Sequence, residues 1–124
     1  MARTVVVVDD DPDTLEFLQL LLCMQGVHVV TVDHTGDVID VIRDARPDVV
    51  LLDLQTPLDR RAGLGILAQF RADEATARVP VILMSADDAA LTRHAAHLRE
   101  LGARLLAKPF EPDHLCRMLE QAAA

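Results

Sequence analysis

Five short apolar runs alternate along the chain with five longer segments in which apolar residues recur at helical spacing. The runs are residues 4–8, 27–32, 48–53, 79–85 and 103–107. They are largely continuous, and continuous apolar strands are typical of parallel sheets that helices cover on both faces. The pattern therefore predicts five parallel strands with buried faces.

The segments between these runs predict helices over residues 12–25, 36–45, 63–72, 88–101 and 111–122. In the first of them, Leu15, Leu18 and Leu22 recur at helical spacing, Pro12 suits the first turn and Gly26 supplies a stop. Strands and helices thus alternate. This order predicts an α/β fold, a doubly wound (βα)5 parallel sheet with right-handed crossovers.

Composition narrows the classes of protein to which the chain can belong. Its 124 residues are expected to form one domain over residues 1–124, with no output domain. Hydrophobic residues make up 51%, which excludes a disordered chain, and aromatic residues only 2%, so the core must be aliphatic. The net charge of −8 argues against direct nucleic-acid binding by this domain, which needs clustered lysine and arginine.

The apolar runs, the first residues and the two cysteines indicate where the protein is located and whether its thiols are reduced. No apolar run approaches the roughly 20 residues of a membrane span, and the first residues do not form a signal peptide. We therefore expect a cytoplasmic protein with no membrane association. Cys23 and Cys116 are expected to be reduced thiols.

Polar residues stand at, or just after, the carboxyl ends of four predicted strands. In chain order they are Asp9, Asp10, Asp11, Asp53, Ser85 and Lys108. The carboxyl ends of parallel strands share one edge of the sheet, where α/β proteins bind ligands. Asp11 directly precedes Pro12 and is expected to cap the first helix instead. The remaining five residues predict a site.

The order of these residues resembles the receiver domain of two-component response regulators, and the resemblance covers the entire chain. The matching segments are "VVVVDDDP", "PDVVLLDLQTP", "VPVILMSA" and "GARLLAKPF". The resemblance implies the sheet order 2-1-3-4-5. It also implies a signalling domain rather than an enzyme, which takes a phosphoryl group from a sensor histidine kinase or a phosphotransfer protein. Such a domain assists its own phosphorylation and dephosphorylation and acts on a downstream protein target.

The resemblance assigns a role to each strand-end residue. Asp53 would accept the phosphoryl group, while Ser85 and Lys108 would bind its oxygens. Mg²⁺ would be held by Asp9, Asp10, Asp53 and the backbone carbonyl of Gln55. These roles suit the chemistry, because a hard cation relieves the repulsion between crowded carboxylates and, with an ammonium, neutralises charge on the transferring phosphoryl group.

The sequence departs from the family pattern in two places. After the acceptor, Thr56 stands where methionine is usual and Ala62 where aspartate is usual, and Arg60 and Arg61 lengthen the loop. These changes alter the loop that carries the expected metal ligand at position 55. The family commonly has tyrosine or phenylalanine at the position of Leu105, a ring that turns inward on activation. Without that ring, the conformational change on activation is expected to take place in the loops that follow the third and fourth strands.

Other functions fit less well. A degenerate receiver that only binds partners would tolerate the changed loop, but it would not need the set of charged strand ends. An FMN-binding flavodoxin-like protein needs a phosphate loop after the first strand, where "DDDP" would repel phosphate. Phosphatases with a nucleophilic aspartate usually carry aspartate two residues later, where Gln55 stands. His94 and His97 share a helix but have no third metal ligand nearby in the sequence.

Overall fold

Strands and helices alternate without exception along the described part of the chain. A computed structural model describes residues 3–32, 38–54 and 62–123. The strands are β1 (Thr4–Val8), β2 (His28–Val32), β3 (Val49–Asp53), β4 (Val81–Ser85) and β5 (Ala103–Ala107). The helices are α1 (Pro12–Met24), α2 (Val38–Ala45), α3 (Ala62–Ala72), α4 (Asp88–Glu100) and α5 (Pro112–Ala123). The predicted (βα)5 order is confirmed.

The five strands form one sheet in the order β2-β1-β3-β4-β5. Every neighbouring pair is parallel, which confirms the expected order 2-1-3-4-5. The chain runs outward from β1 to β2 and then crosses back to β3 on the other side of β1. This reversal brings the carboxyl ends of β1 and β3 side by side, at the place where doubly wound sheets bind ligands.

Side chains of the central strands alternate between two hydrophobic clusters, one on each face of the sheet. One cluster packs beneath α2, α3 and α4 and includes Val6, Val50, Leu83, Ile42, Phe70 and Leu98. The other packs beneath α1 and α5 and includes Val7, Leu51, Ile82, Leu18, Leu22 and Leu115. Because β1, β3 and β4 are buried on both faces, their apolar sequences are continuous, as predicted.

The two edge strands differ from this prediction. In β2 only Val32 is buried, and in β5 only Ala103 and Leu106 are. An edge strand has a neighbour on one side only, so helices cover it less completely. β4 also begins two residues later than predicted: the amide of Val79 donates to the carbonyl of Thr76 and closes a turn, and Pro80 has no amide hydrogen to donate.

The helix ends follow the predicted signals. The Asp11 side chain accepts a hydrogen bond from the amide of Asp13 and caps α1, as expected. Asp87 caps α4 in the same way through the amide of Ala90. Gly26 and Gly102, which follow α1 and α4, have φ angles of 77° and 75°, a left-handed conformation that side chains with a Cβ rarely adopt. In the described part of the chain, no helix has the length and apolarity needed to cross a bilayer.

Candidate functional site

The register of the central strands places Asp9 beside Asp53. Val8, at the end of β1, pairs with Leu52 of β3, so the next residue on each strand is an aspartate. Both carboxylates are buried: the whole residue Asp9 has no exposed surface and Asp53 is 8% exposed. Two buried carboxylates at adjacent strand ends repel each other, and a nearby cation relieves such repulsion.

The orientation of the Asp9 carboxylate is set by the backbone of its own loop. The Asp9 amide donates to the carbonyl of Val32 on β2 at 3.0 Å, which extends the parallel pairing by one residue. Its Oδ1 accepts a hydrogen bond of 3.0 Å from the amide of Asp11. This Asx-type turn leaves Oδ2 to point toward the site. Asp10, between them, is half-buried.

Asp53 is the last residue of β3 and is held by its neighbour β4. It pairs in register with Met84, and the amide of the following residue, Leu54, donates to the Met84 carbonyl at 2.8 Å. Leu54 is itself buried, so the chain on both sides of Asp53 is anchored. The backbone at Asp53 is therefore held in place by β4.

Ser85 connects the site to the start of α4. Its Oγ accepts a hydrogen bond of 2.9 Å from the amide of Asp87, and the Asp87 carboxylate accepts one of 3.0 Å from Ala90 in the first turn of α4. The Ser85 hydroxyl still has its own hydrogen to donate, because a hydroxyl can donate and accept at once. A ligand that accepts a hydrogen bond from the Ser85 hydroxyl can therefore shift Asp87, the residue that caps α4.

Lys108 brings the fifth strand into the site. Its amide donates to the carbonyl of Ser85 at 2.7 Å, which fixes the end of β5 against that of β4. The ammonium Nζ lies 2.9 Å from Oδ2 of Asp9 and 3.9 Å from Oδ2 of Asp53. It thus spans the two buried carboxylates and partly neutralises them.

The donor set fits a hard divalent cation. Asp9, Asp10 and Asp53 each offer a carboxylate oxygen, and these atoms all lie within 4.8 Å of one another. Among the residues that the structure describes, three carboxylates face one ammonium at this site, which is an excess of negative charge. Carboxylate oxygens at this spacing suit Mg²⁺, which takes one or two carboxylates from a protein and completes its shell with water and phosphate oxygens.

Comparison with known families agrees with this geometry. The model of the response regulator receiver domain matches residues 5–120, a span that includes every strand end described above. The chain belongs to the response regulator receiver family. Receiver domains are signalling phosphoacceptor domains of two-component systems rather than classical enzymes, they generally bind Mg²⁺ at an acidic pocket, and response regulators partner with histidine kinases.

Two curated relatives match this chain over about half of their own length. TcrX of Mycobacterium tuberculosis is 36% identical over 112 residues, which are 90% of this chain and 46% of TcrX. The DNA-binding response regulator MtrA of Mycolicibacterium smegmatis is 32% identical over 116 residues, 93% of this chain and 48% of MtrA. This receiver domain therefore spans about half the length of the curated relatives it matches.

Solved receiver structures share the fold over its full length. The N-terminal receiver domain of a two-component response regulator from Bacteroides fragilis is 28% identical and superposes with a TM-score of 0.83, covering 100% of this chain and 98% of that one. Chemotaxis protein CheY4 of Vibrio cholerae has a TM-score of 0.86 at 21% identity, covering 98% and 99%. The latter likeness concerns the fold alone.

The structure gathers most of the predicted site residues at one edge of the sheet. Asp9, Asp10, Asp53 and Lys108 converge, and Ser85 ends the adjacent strand and is bonded to the backbone of Lys108. Gln55, the expected carbonyl ligand, lies outside the described residues, as do Thr56, Arg60 and Arg61 of the altered loop. Among the residues that are described, neither His94 nor His97 belongs to a group of three potential metal ligands.

Two backbone groups of the site were missed by the sequence reasoning. The amides of Asp11 and Asp87 orient Asp9 and Ser85 respectively. In both cases the acceptor side chain lies two residues before the donor amide, the spacing of Asx and serine turns. The motifs Asp-x-Asp and Ser-x-Asp were the available signals.

Leu105, in place of the usual aromatic residue, is half-buried and packs against the cluster beneath α2, α3 and α4. Its side chain therefore belongs to the core in this structure.

Cys23 and Cys116 are both free, the first exposed and the second partly buried.

Proposed function

We propose that this receiver domain accepts a phosphoryl group on the Asp53 carboxylate from a phosphohistidine of a sensor histidine kinase or phosphotransfer protein. The observation that carries the proposal is the convergence of Asp9, Asp10 and Asp53 within 4.8 Å beside the ammonium of Lys108. A carboxylate nucleophile, a hard-cation site and a positive side chain are the parts that phosphoryl transfer needs.

In the proposed reaction, an Oδ atom of Asp53 attacks phosphorus and the P–N bond to the donor imidazole breaks. The electron pair of that bond returns to the imidazole nitrogen, and Asp53 becomes an acyl phosphate. Lys108, 3.9 Å from Asp53 Oδ2, is close enough to turn its ammonium to a phosphoryl oxygen. The Ser85 hydroxyl donates its free hydrogen to another oxygen. Attack of water on the same phosphorus would later restore the carboxylate.

Mg²⁺ fits this site, with Asp9, Asp10, Asp53 and the backbone carbonyl of Gln55 as its proposed ligands. When bound, it supplies positive charge that stabilises the transferring phosphoryl oxygens. Asp9 is oriented for this task by the Asp11 amide, and burial shields its carboxylate from bulk water.

We also propose that residues 1–124 act as one cytoplasmic receiver domain that signals by altered contacts with a downstream protein and makes no direct contact with nucleic acid. The net charge of −8 supports the last point, because phosphate backbones repel such a surface. The hydrogen bond from the Asp87 amide to Ser85 supports signalling by altered protein contacts. It offers a direct route from the phosphoryl group to the surface of α4.

The deciding experiment is intact mass spectrometry after incubation with acetyl phosphate and Mg²⁺. The parent protein should gain one phosphoryl group, and Asp53→Asn should gain none. Asp48→Asn, on the opposite edge of the sheet, is the matched control and should be phosphorylated like the parent. Equal labelling of Asp53→Asn would overturn the assignment, and no labelling of a folded parent would favour an interaction module that works without phosphorylation.

A further inference from the structure

A second charged concavity lies at the opposite edge of the sheet from Asp53. It is a groove of about 490 Å³ at the amino ends of β4 and β5, between the turn after α3 and the turn after α4. Its lining includes three arginines, Arg71, Arg78 and Arg104. In a chain of net charge −8, three guanidinium groups around one groove form a local reversal of charge.

Arg71 is the inner guanidinium of this groove and is held rigidly. Its Nη1 donates to the carbonyls of Ala77 and Val79 at 3.0 and 2.8 Å, and its Nε donates to the carbonyl of Leu101 at 2.5 Å. Its Nη2 faces Gly102, where an added Cβ would lie 3.6 Å away. The side chain is therefore positioned before any ligand arrives, which lowers the entropy lost on binding.

In the described part of the chain, the three arginines have no acidic partner, although Nη1 of Arg104 donates to the side-chain oxygen of Gln121 at 3.3 Å. Among the described residues, no carboxylate lies within 4.0 Å of any of the three guanidinium groups, although Glu100 also lines the groove. Arg43 shows the contrast, since it is paired with both Asp40 and Asp73. Burial also lowers the pKa of Arg71, because carbonyl dipoles compensate a desolvated charge less fully than an anion does.

We propose that this groove binds a small phosphate-bearing ligand, with Arg71, Arg78 and Arg104 as the groups that contact its oxygens. Guanidinium groups present paired N–H donors that match phosphate geometry. A volume of about 490 Å³ lies within the range of small-ligand sites. The site is separate from the proposed phosphorylation site and does not depend on it.

The test uses pyrophosphate as the probe, followed by amide NMR of the whole chain without added metal and at constant ionic strength. Saturable shifts should appear at the amides of residues 77–79 and 100–104, and they should be the same in Asp53→Asn. The double variant Arg78→Gln/Arg104→Gln should bind pyrophosphate at least about tenfold more weakly, since each lost charge-assisted hydrogen bond corresponds to about that factor. Both side chains are exposed, so the variant should fold.

Arg93→Gln is the matched control, because Arg93 is an exposed arginine of α4 outside the groove. It makes the same change of charge per site and should leave the affinity for pyrophosphate unchanged. The proposal is overturned by shifts that fail to saturate, by shifts confined to residues around Lys108, or by equal affinity in the double variant.

Discussion

The ammonium nitrogen of Lys108 lies 2.9 Å from Oδ2 of the buried Asp9 carboxylate. Its distance from Oδ2 of Asp53, the proposed acceptor, is 3.9 Å. Lys108 therefore adds its positive charge to the same acidic cluster that would hold a metal ion. A metal ion bound by Asp9 and the ammonium of Lys108 repel each other, so metal binding should move the ammonium away from Asp9.

This relationship predicts that Lys108→Met binds Mg²⁺ more tightly than the parent. An ammonium a few ångströms from a divalent ion raises its free energy by at least about 1 kcal/mol, so the affinity should rise about five- to tenfold. Isothermal titration calorimetry measures it directly. Arg93→Met removes a positive charge elsewhere and should leave the affinity unchanged. Equal or weaker Mg²⁺ binding by Lys108→Met would contradict the predicted repulsion between the ammonium and the bound metal ion.

The movement of the ammonium can be observed separately, because Lys108 is the only lysine in the sequence. Reductive methylation with ¹³C-formaldehyde labels this side chain and the amino terminus, and methylation keeps the positive charge. The lysine signal should shift on addition of Mg²⁺ in the parent and should not shift in an Asp10→Ala variant that binds the metal weakly. If the lysine signal did not shift at a saturating metal concentration, the predicted movement of the ammonium would be wrong.

Ser85→Ala should weaken the start of α4 as well as phosphorylation. It leaves the Asp87 amide without the Ser85 oxygen at 2.9 Å, and the loss of one such hydrogen bond costs about 1 kcal/mol. Urea denaturation measures this loss of stability. Ser85→Thr retains the hydroxyl and is the control, with stability closer to that of the parent. If Ser85→Ala were as stable as Ser85→Thr, the hydroxyl would not anchor the loop.

Leu105 is predicted to keep a single side-chain environment on activation. Turning it outward would expose apolar surface now packed against the core at a cost of about 1 kcal/mol, and leucine has no hydroxyl to bond at the surface. Methyl NMR of the Mg²⁺–beryllofluoride complex tests this, beryllofluoride standing in for the phosphoryl group. The Leu105 methyls should shift slightly and amides at 85–90 strongly, with the fully buried Leu98 as internal reference. Two exchanging Leu105 environments would refute the prediction.

Arg71→Leu should be strongly destabilising although the residue is far from Asp53. The substitution leaves the carbonyls of Ala77, Val79 and Leu101 without their donor, which should lower the free energy of unfolding by about 3 kcal/mol. Chemical denaturation gives the value. Arg78→Leu removes an exposed arginine of the same groove and should change stability by less than about 0.5 kcal/mol. Similar losses in both variants would mean that the carbonyl contacts contribute little.

The two cysteines should differ in reactivity. Burial, followed by the charges of Asp113 and Glu120, raises the pKa of the Cys116 thiol, so less of the reactive thiolate is present near neutral pH. Cys23 is exposed. Iodoacetamide followed by peptide mass spectrometry should show alkylation of Cys23 first, and Cys23→Ser should react slowly until urea is added. Faster labelling of Cys116 in the native protein would contradict the predicted protection.

Much of the fold could be predicted from the pattern of apolar residues. The continuous runs of β1, β3 and β4 do lie in the middle of the sheet, buried on both faces. The similar apolar run of β2 lies at an edge and is largely uncovered. Apolarity along a strand reports the tendency to be buried, whereas the number of neighbouring strands depends on how the chain crosses over. The late start of β4 likewise depends on a turn closed between Thr76 and Val79.

The types and order of the site residues were readable in the sequence, because each charged residue follows an apolar strand and parallel strands share their carboxyl edge. The distances between their side chains could not be predicted from the sequence. Lys108 and Asp9 are 99 positions apart, and the contact between them arises only from strand order and register. The sequence by itself determined which chemical groups stand at the edge of the sheet; the tertiary structure decided that the ammonium lies against Asp9, since packing of the strands sets the separations over which charges attract and repel.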